Sequence, residues 1–116
     1  MSAHPQIDKS ERRRSYHRWK RSFDLFYGLG DRLARGHAHE ISEGGLAFSG
    51  AEQYPVGTKI KVEFWLHSIY VSEKFAVLAT IRRREGKLMA IEFQSLSLGD
   101  RINILRVVKP QDFDQE

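Results

Sequence analysis

Two arginines four positions apart, Arg14 and Arg18 in Arg14-Ser15-Tyr16-His17-Arg18, precede by about thirty residues the run Glu40-Ile41-Ser42-Glu43-Gly44-Gly45. These side chains are the ones best suited to chemistry. A guanidinium is planar and always charged, and its fork donates two parallel hydrogen bonds to a phosphate or to the O6 and N7 acceptors on one edge of guanine. The opposite edge of guanine offers N–H donors, which a carboxylate such as Glu40 accepts. Ser42 can donate to a phosphate oxygen or accept from a backbone amide, and glycine lets the backbone approach a ligand closely. An anion-binding arm and a guanine-reading turn therefore point to one ligand that carries both guanine and phosphate.

In this order and context the residues resemble the PilZ domain, a bacterial receptor module for cyclic di-GMP marked by RxxxR followed by (D/N)xSxxG. Arg14 and Arg18 match the first motif; Glu40, Ser42 and Gly45 fall on the second, with Glu40 in place of Asp or Asn. Glu11-Arg12-Arg13-Arg14 ahead of the first motif, Gly44-Gly45-Leu46 closing the second, and the late run Ala90-Ile91-Glu92-Phe93 extend the likeness over about residues 11 to 108. The resemblance implies a non-enzymatic receptor that binds cyclic di-GMP, needs no cofactor, orders its N-terminal arm around the ligand and signals to a protein effector. It assigns ligand binding to Arg14, Arg18, Glu40, Ser42 and Gly45, with Arg13 and Gly44 beside them and Arg12 in support. Glu40 keeps the charge of the usual Asp but sets it one methylene further out, so the guanine contact must be re-aimed. Two other readings stay open. A small barrel could bind single-stranded nucleic acid through the basic arm and the aromatics Tyr16, Trp19 and Trp65, although this partner is disfavoured because it leaves Ser42 and Gly45 without a role. A degenerate PilZ domain could act only in protein–protein interaction.

The composition bounds the possibilities. A chain of 116 residues with 41% hydrophobic content suffices for one domain with its own core. The absence of cysteine removes disulfides and thiolate metal sites and fits a reducing compartment, so a cytoplasmic location is expected. Met1 to Gln6 lacks an apolar leader core, and no apolar run approaches the ~18 residues of a membrane span, so no membrane insertion is expected. Net charge is +4, yet Lys9 to Arg21 holds seven Lys or Arg residues against the single acid Glu11. So polar a segment has little apolar surface to offset its ordering entropy, and residues 1–21 read as a flexible basic arm.

Beyond the arm the pattern is that of strands. Ile60, Val62, Phe64 and Leu66 alternate with Lys59, Lys61, Glu63 and Trp65, the period of a half-buried strand. Phe75, Val77, Ala79 and Ile81 form one face of a run that ends in Arg82-Arg83-Arg84, and Glu85-Gly86 turns it into Met89, Ile91 and Phe93. Phe23, Leu25 and Tyr27, a returning segment from Leu33 to Ile41, and Leu46 to Phe48 complete six strand candidates. Ser97 reads as the N-cap of a helix whose apolar positions are Leu98, Ile102, Leu105 and Val108, ended by Pro110. The expected fold is all-β with a C-terminal helix: a six-stranded antiparallel barrel over 22–96, the helix over 97–109 and a tail over 110–116.

The remaining polar residues read more plainly. His37 and His39 share a strand face and could offer two imidazoles to a metal, but no third ligand stands out and none is expected. Ser42 lacks a nucleophile elbow, and Glu40 and Glu43 point alternate ways from a turn, so no catalytic residue and no enzyme are expected. Arg82-Arg83-Arg84 reads first as a solvated strand end and only second as part of a ligand or partner site. Trp65 reads as an outer-face residue that the C-terminal helix covers.

Overall fold

The computed structural model describes residues 18–67, 72–94 and 96–108. Six strands run in chain order as β1 Trp19–Gly28, β2 Ala34–Ile41, β3 Gly45–Gly50, β4 Lys59–His67, β5 Ser72–Glu85 and β6 Leu88–Gln94, followed by helix α1 Leu98–Val108. Every strand pairing is antiparallel, and the order β1-β2-β3-β6-β5-β4 closes on itself through β4 and β1. Closure leaves no long edge to pair with another chain.

The alternation decides the core. Ile60, Val62, Phe64 and Leu66 of β4 face Phe75, Val77 and Ala79 of β5, and all are buried, while Lys59 and Trp65 stay outside. Phe64 stacks on Phe75 at 5.2 Å and on Phe93 at 6.1 Å between ring centroids. Full burial of each such side chain is worth about 1.5–3 kcal/mol, so this aromatic cluster is a principal anchor of the barrel. Tyr27 is fully buried too, and its hydroxyl finds a partner by donating to the Glu52 carbonyl. At the β5–β6 hairpin, Gly86 adopts φ +62°, a left-handed conformation that glycine reaches without steric cost.

Four expectations from the sequence are corrected. First, β1 opens at Trp19, inside the segment assigned to the arm. Its charges hid a true alternation, in which Trp19, Arg21 and Phe23 are half-buried while Lys20, Ser22 and Asp24 are exposed. Arg21 donates a guanidinium hydrogen bond to the Val108 carbonyl at the end of α1, so a cation serves a half-buried position. Second, α1 buries Ile104, Val107 and Val108, whereas Leu98 and Ile102 are 73% and 46% exposed. The helix carries apolar residues on two flanks, and contact with the barrel selects the 104/107/108 stripe. Its start is as expected: the Asp100 amide donates to Ser97 Oγ at 3.0 Å. Third, the cover expected over Trp65 is incomplete; the indole is 39% exposed, with the Lys74 ammonium 5.3 Å from the ring centroid. The fourth concerns Arg82 and Arg83 and belongs to the site below.

Candidate functional site

Three register shifts interrupt the ladders, and they frame one region of the outer surface. The β1–β2 register shifts between Lys20 and Phe23, the β2–β3 register between Ala38 and Glu40, and the β5–β6 register between Ile81 and Arg83. A bulge breaks the strict in–out alternation and re-aims side chains. Here it turns Glu40 outward on the β2 flank of the β3–β6 pair and the adjacent Arg82 and Arg83 outward on the β5 flank. Between the flanks, Ala47 pairs with Ala90, and the same row continues to Glu40 on one side and to Arg83 on the other. Small residues in the middle and long ones at the sides make a trough. It is a cleft of about 770 Å³, bordered by Arg18, Glu40, Ser42, Gly44 and Gly45 on one side and by Arg82, Arg83 and Glu92 on the other. The volume falls within the range of ordinary small-molecule sites.

The first wall gathers the residues singled out in the sequence. Arg18 Nη1 lies 3.7 Å from Glu40 Oε2, with the side chains 56% and 32% exposed, so the pair contributes little to stability by itself. Its charges remain available to a ligand. The turn from β2 to β3 is built by Ser42, which is buried: its amide donates to the Gly45 carbonyl at 2.8 Å, and its Oγ accepts the Gly44 amide at 3.1 Å. Of the two roles open to Ser42, acceptance from a backbone amide is the one seen. Gly45 has a local cause as well. A Cβ on Gly45 would lie 2.0 Å from the Ile91 carbonyl oxygen, so the approach of β3 to β6 itself requires glycine, whereas the sequence suggested clearance for a ligand. The Gly44 carbonyl accepts the Phe93 amide at 2.9 Å and ties the turn to β6. Arg13 and Arg14 lie outside the described residues.

The second wall corrects the reading of the arginine run. Arg82 and Arg83 border the cleft instead of ending a strand in open solvent, because the bulge at Arg82 presents both of them outward. Arg82 Nε donates to Glu92 Oε1 at 2.6 Å, and Arg83 lies 4.0 Å from Glu85. Periodicity could not reveal this, since both walls depend on pairing across four strands.

The histidines have partners outside the cleft. His37 bonds to Ser22 Oγ at 2.7 Å through Nε2 and to Asp24 at 3.1 Å through Nδ1, and His39 bonds to Ser49 Oγ at 2.9 Å. The His37 hydrogen bond, with Arg35 nearby, holds the Asp24 carboxyl below its usual value.

With this geometry in place the comparisons decide the family. The PilZ-domain family model matches residues 12–109. The chain belongs to the PilZ family. No match was found among curated proteins. Among solved structures, this PilZ chain is similar to the Bacillus subtilis inhibitor of motility MotI/DgrA, with TM-score 0.74 and 20% identity over 90% of this chain, spanning only 53% of that protein. It is similar to the PilZ domain of YcgR from Escherichia coli, solved with c-di-GMP, with TM-score 0.64 and 18% identity over 83% of this chain and 88% of that one. The PilZ domain of CeSA from a cellulose-synthesizing bacterium aligns with TM-score 0.60 and 19% identity over 79% and 94% of the two chains. All three share the barrel. Among the described residues, no helix is long and apolar enough to cross a membrane.

Proposed function

We propose that this PilZ domain is a non-enzymatic receptor for cyclic di-GMP, bound in the cleft across β2, β3, β6 and β5. The observation that carries this reading is the convergence of Arg18, Glu40, Ser42, Gly44 and Gly45 on one wall of a single cleft, in a family one of whose structural neighbours holds this ligand. Arg18 donates to phosphate or to the acceptor edge of guanine, and Glu40 accepts from the donor edge. Ser42 and Gly44 hold the turn that presents them, and Gly45 lets β3 lie close against β6. Arg14 brings the second guanidinium from the arm, with Arg13 and Arg12 beside it. Binding orders the arm over the cleft, and the ordered arm presents a new surface to a protein effector.

The test is calorimetric titration of the full chain with cyclic di-GMP, GMP and cyclic di-AMP. Cyclic di-GMP is expected to bind far more tightly than either of the others, because two motifs engaging two edges and two phosphates must be satisfied together. Similar or undetectable heats for all three would overturn the reading. Single-stranded oligonucleotide should bind weakly and lose affinity steeply with salt.

A further inference from the structure

The two walls of the cleft repeat one chemical couple. On the β1–β2 side Arg18 faces Glu40 at 3.7 Å, and on the β5–β6 side Arg82 donates to Glu92 at 2.6 Å. The alanines 47 and 90 lie between them as a floor without functional groups. Strand spacing of about 4.8 Å sets Glu40 on β2 and Glu92 on β6, two strands apart, on the order of 10 Å from each other across the sheet. A guanidinium suits the O6/N7 edge of guanine and a carboxylate suits its N–H edge, so one Arg–Glu couple contains what is needed to read one guanine. Two couples on opposite walls match a ligand with two guanines.

We propose that Arg82 and Glu92 form a second guanine subsite, opposite Arg18 and Glu40, so that the cleft reads both bases of a two-guanine ligand. The inference rests on the cyclic di-GMP reading and extends it to residues outside both sequence motifs. In the free protein each arginine is occupied by its own glutamate. A ligand entering a couple exchanges partners: the guanidinium turns to the acceptor edge and the carboxylate to the donor edge, and no charge is left alone. An anion without guanine would take the arginines and strand Glu40 and Glu92 beside phosphate, where like charges repel. Adenine presents an amino donor beside N7 and no N1–H, so neither member of a couple is satisfied. Discrimination should then arise at both ends of the ligand.

The experiment titrates the wild-type chain and the variants Arg82→Ala, Arg82→Lys and Glu92→Gln with cyclic di-GMP and with the mixed cyclic GMP–AMP. Thermal unfolding of each variant checks the fold; both side chains are more than half exposed, so the melting temperatures should match the wild type. The wild type is expected to prefer cyclic di-GMP over the mixed dinucleotide by tenfold or more. Each variant should weaken cyclic di-GMP by about tenfold while changing the mixed ligand little, which abolishes the preference; Arg82→Lys should behave like Arg82→Ala because a point charge lacks the fork. Equal weakening of both ligands would show a plain charge contact and overturn the subsite. Unchanged affinity in all three variants would overturn it while leaving the receptor reading intact. Absence of binding by the wild type would overturn both.

Discussion

Gly45→Ala separates a structural from a recognition role for the second motif. The added Cβ would meet the Ile91 carbonyl oxygen at 2.0 Å, the Ile91 carbonyl carbon at 3.1 Å and Glu92 Cα at 3.3 Å. All three are backbone atoms, so no side chain can rotate away and β3 must move off β6. Overpacking costs about 1–3 kcal/mol, and a backbone obstacle places this case at the upper end. For a domain of this size each kcal/mol lowers the melting temperature by roughly 4 °C, giving a fall of about 12 °C. Gly86→Ala is the control, since its left-handed φ of +62° carries strain in otherwise open space, with a cost of ~1–2 kcal/mol and about half the loss in melting temperature. Thermal unfolding followed by circular dichroism reads stability, and titration with cyclic di-GMP on the folded fraction reads binding. If Gly45→Ala melts within about 2 °C of the wild type yet fails to bind, the glycine serves the ligand and the sheet argument is wrong.

Arg14→Ala and Arg18→Ala should each weaken cyclic di-GMP by roughly 1.5–3 kcal/mol in titration, with the melting temperature nearly unchanged. Limited trypsin digestion should cut after Arg14 in the free protein and less in the complex, whereas the bond after Arg18 leads into β1 and should resist in both; equal cutting after Arg14 would contradict an arm that wraps. Phe64→Ala should do the reverse, costing ~3–5 kcal/mol in urea unfolding because a fully buried ring stacked on Phe75 and Phe93 is removed. Glu40→Asp should tighten cyclic di-GMP and Glu40→Ala weaken it by up to about 1.5–3 kcal/mol, with a flat series showing Glu40 to be a bystander. Burial lifts the Tyr27 phenol above its ordinary value, so the unfolded chain ionises first; stability is complete below that ordinary value and falls as pH rises through it. Tyr27→Phe should flatten this alkaline limb in urea titrations at stepped pH.

Much of the barrel was legible because its strands obey the simplest rule. Four alternating apolar residues in Lys59 to Leu66 sufficed to place β4, and Ser97 sufficed to start α1. Where a polar residue performs an inward task the rule fails: Arg21 sits at a half-buried position because its guanidinium reaches the Val108 carbonyl, a partner 87 residues away that local pattern cannot show. The helix face failed for a related reason. Leu98, Ile102, Leu105 and Val108 form as good a stripe as Ile104, Val107 and Val108, and docking kept only Val108 of the first. Within the site, Arg18, Glu40 and Ser42 were found through motif resemblance, not through periodicity; Glu92 fell in the late run that extends the resemblance without a role assigned to it, and Arg82 and Arg83 read first as a solvated strand end.

The reason a ligand role for Arg82 and Arg83 came only second in the sequence lies in where this barrel keeps its charged residues. A regular pleat sends adjacent residues to opposite faces, so it can present a charged side chain to solvent only at every second position. Bulges at Ala38/Glu40 and Ile81/Arg83 suspend that constraint on the two strands that flank the β3–β6 pair. Glu40 on one strand and the adjacent Arg82 and Arg83 on the other thereby reach the same outer surface, above alanines that leave room between them. The pairing defects are thus what converts an ordinary barrel wall into a cleft with charge on both sides. Restoring the regular pleat by deleting Arg82 should leave Arg83 opposite Ala90 and facing outward, so that side of the cleft loses one of its two adjacent guanidinium groups and Glu92 loses its partner; affinity for cyclic di-GMP in titration should then fall about as far as in Arg82→Ala, and a much larger loss would show that the bulge shapes the cleft as well as adding a charge.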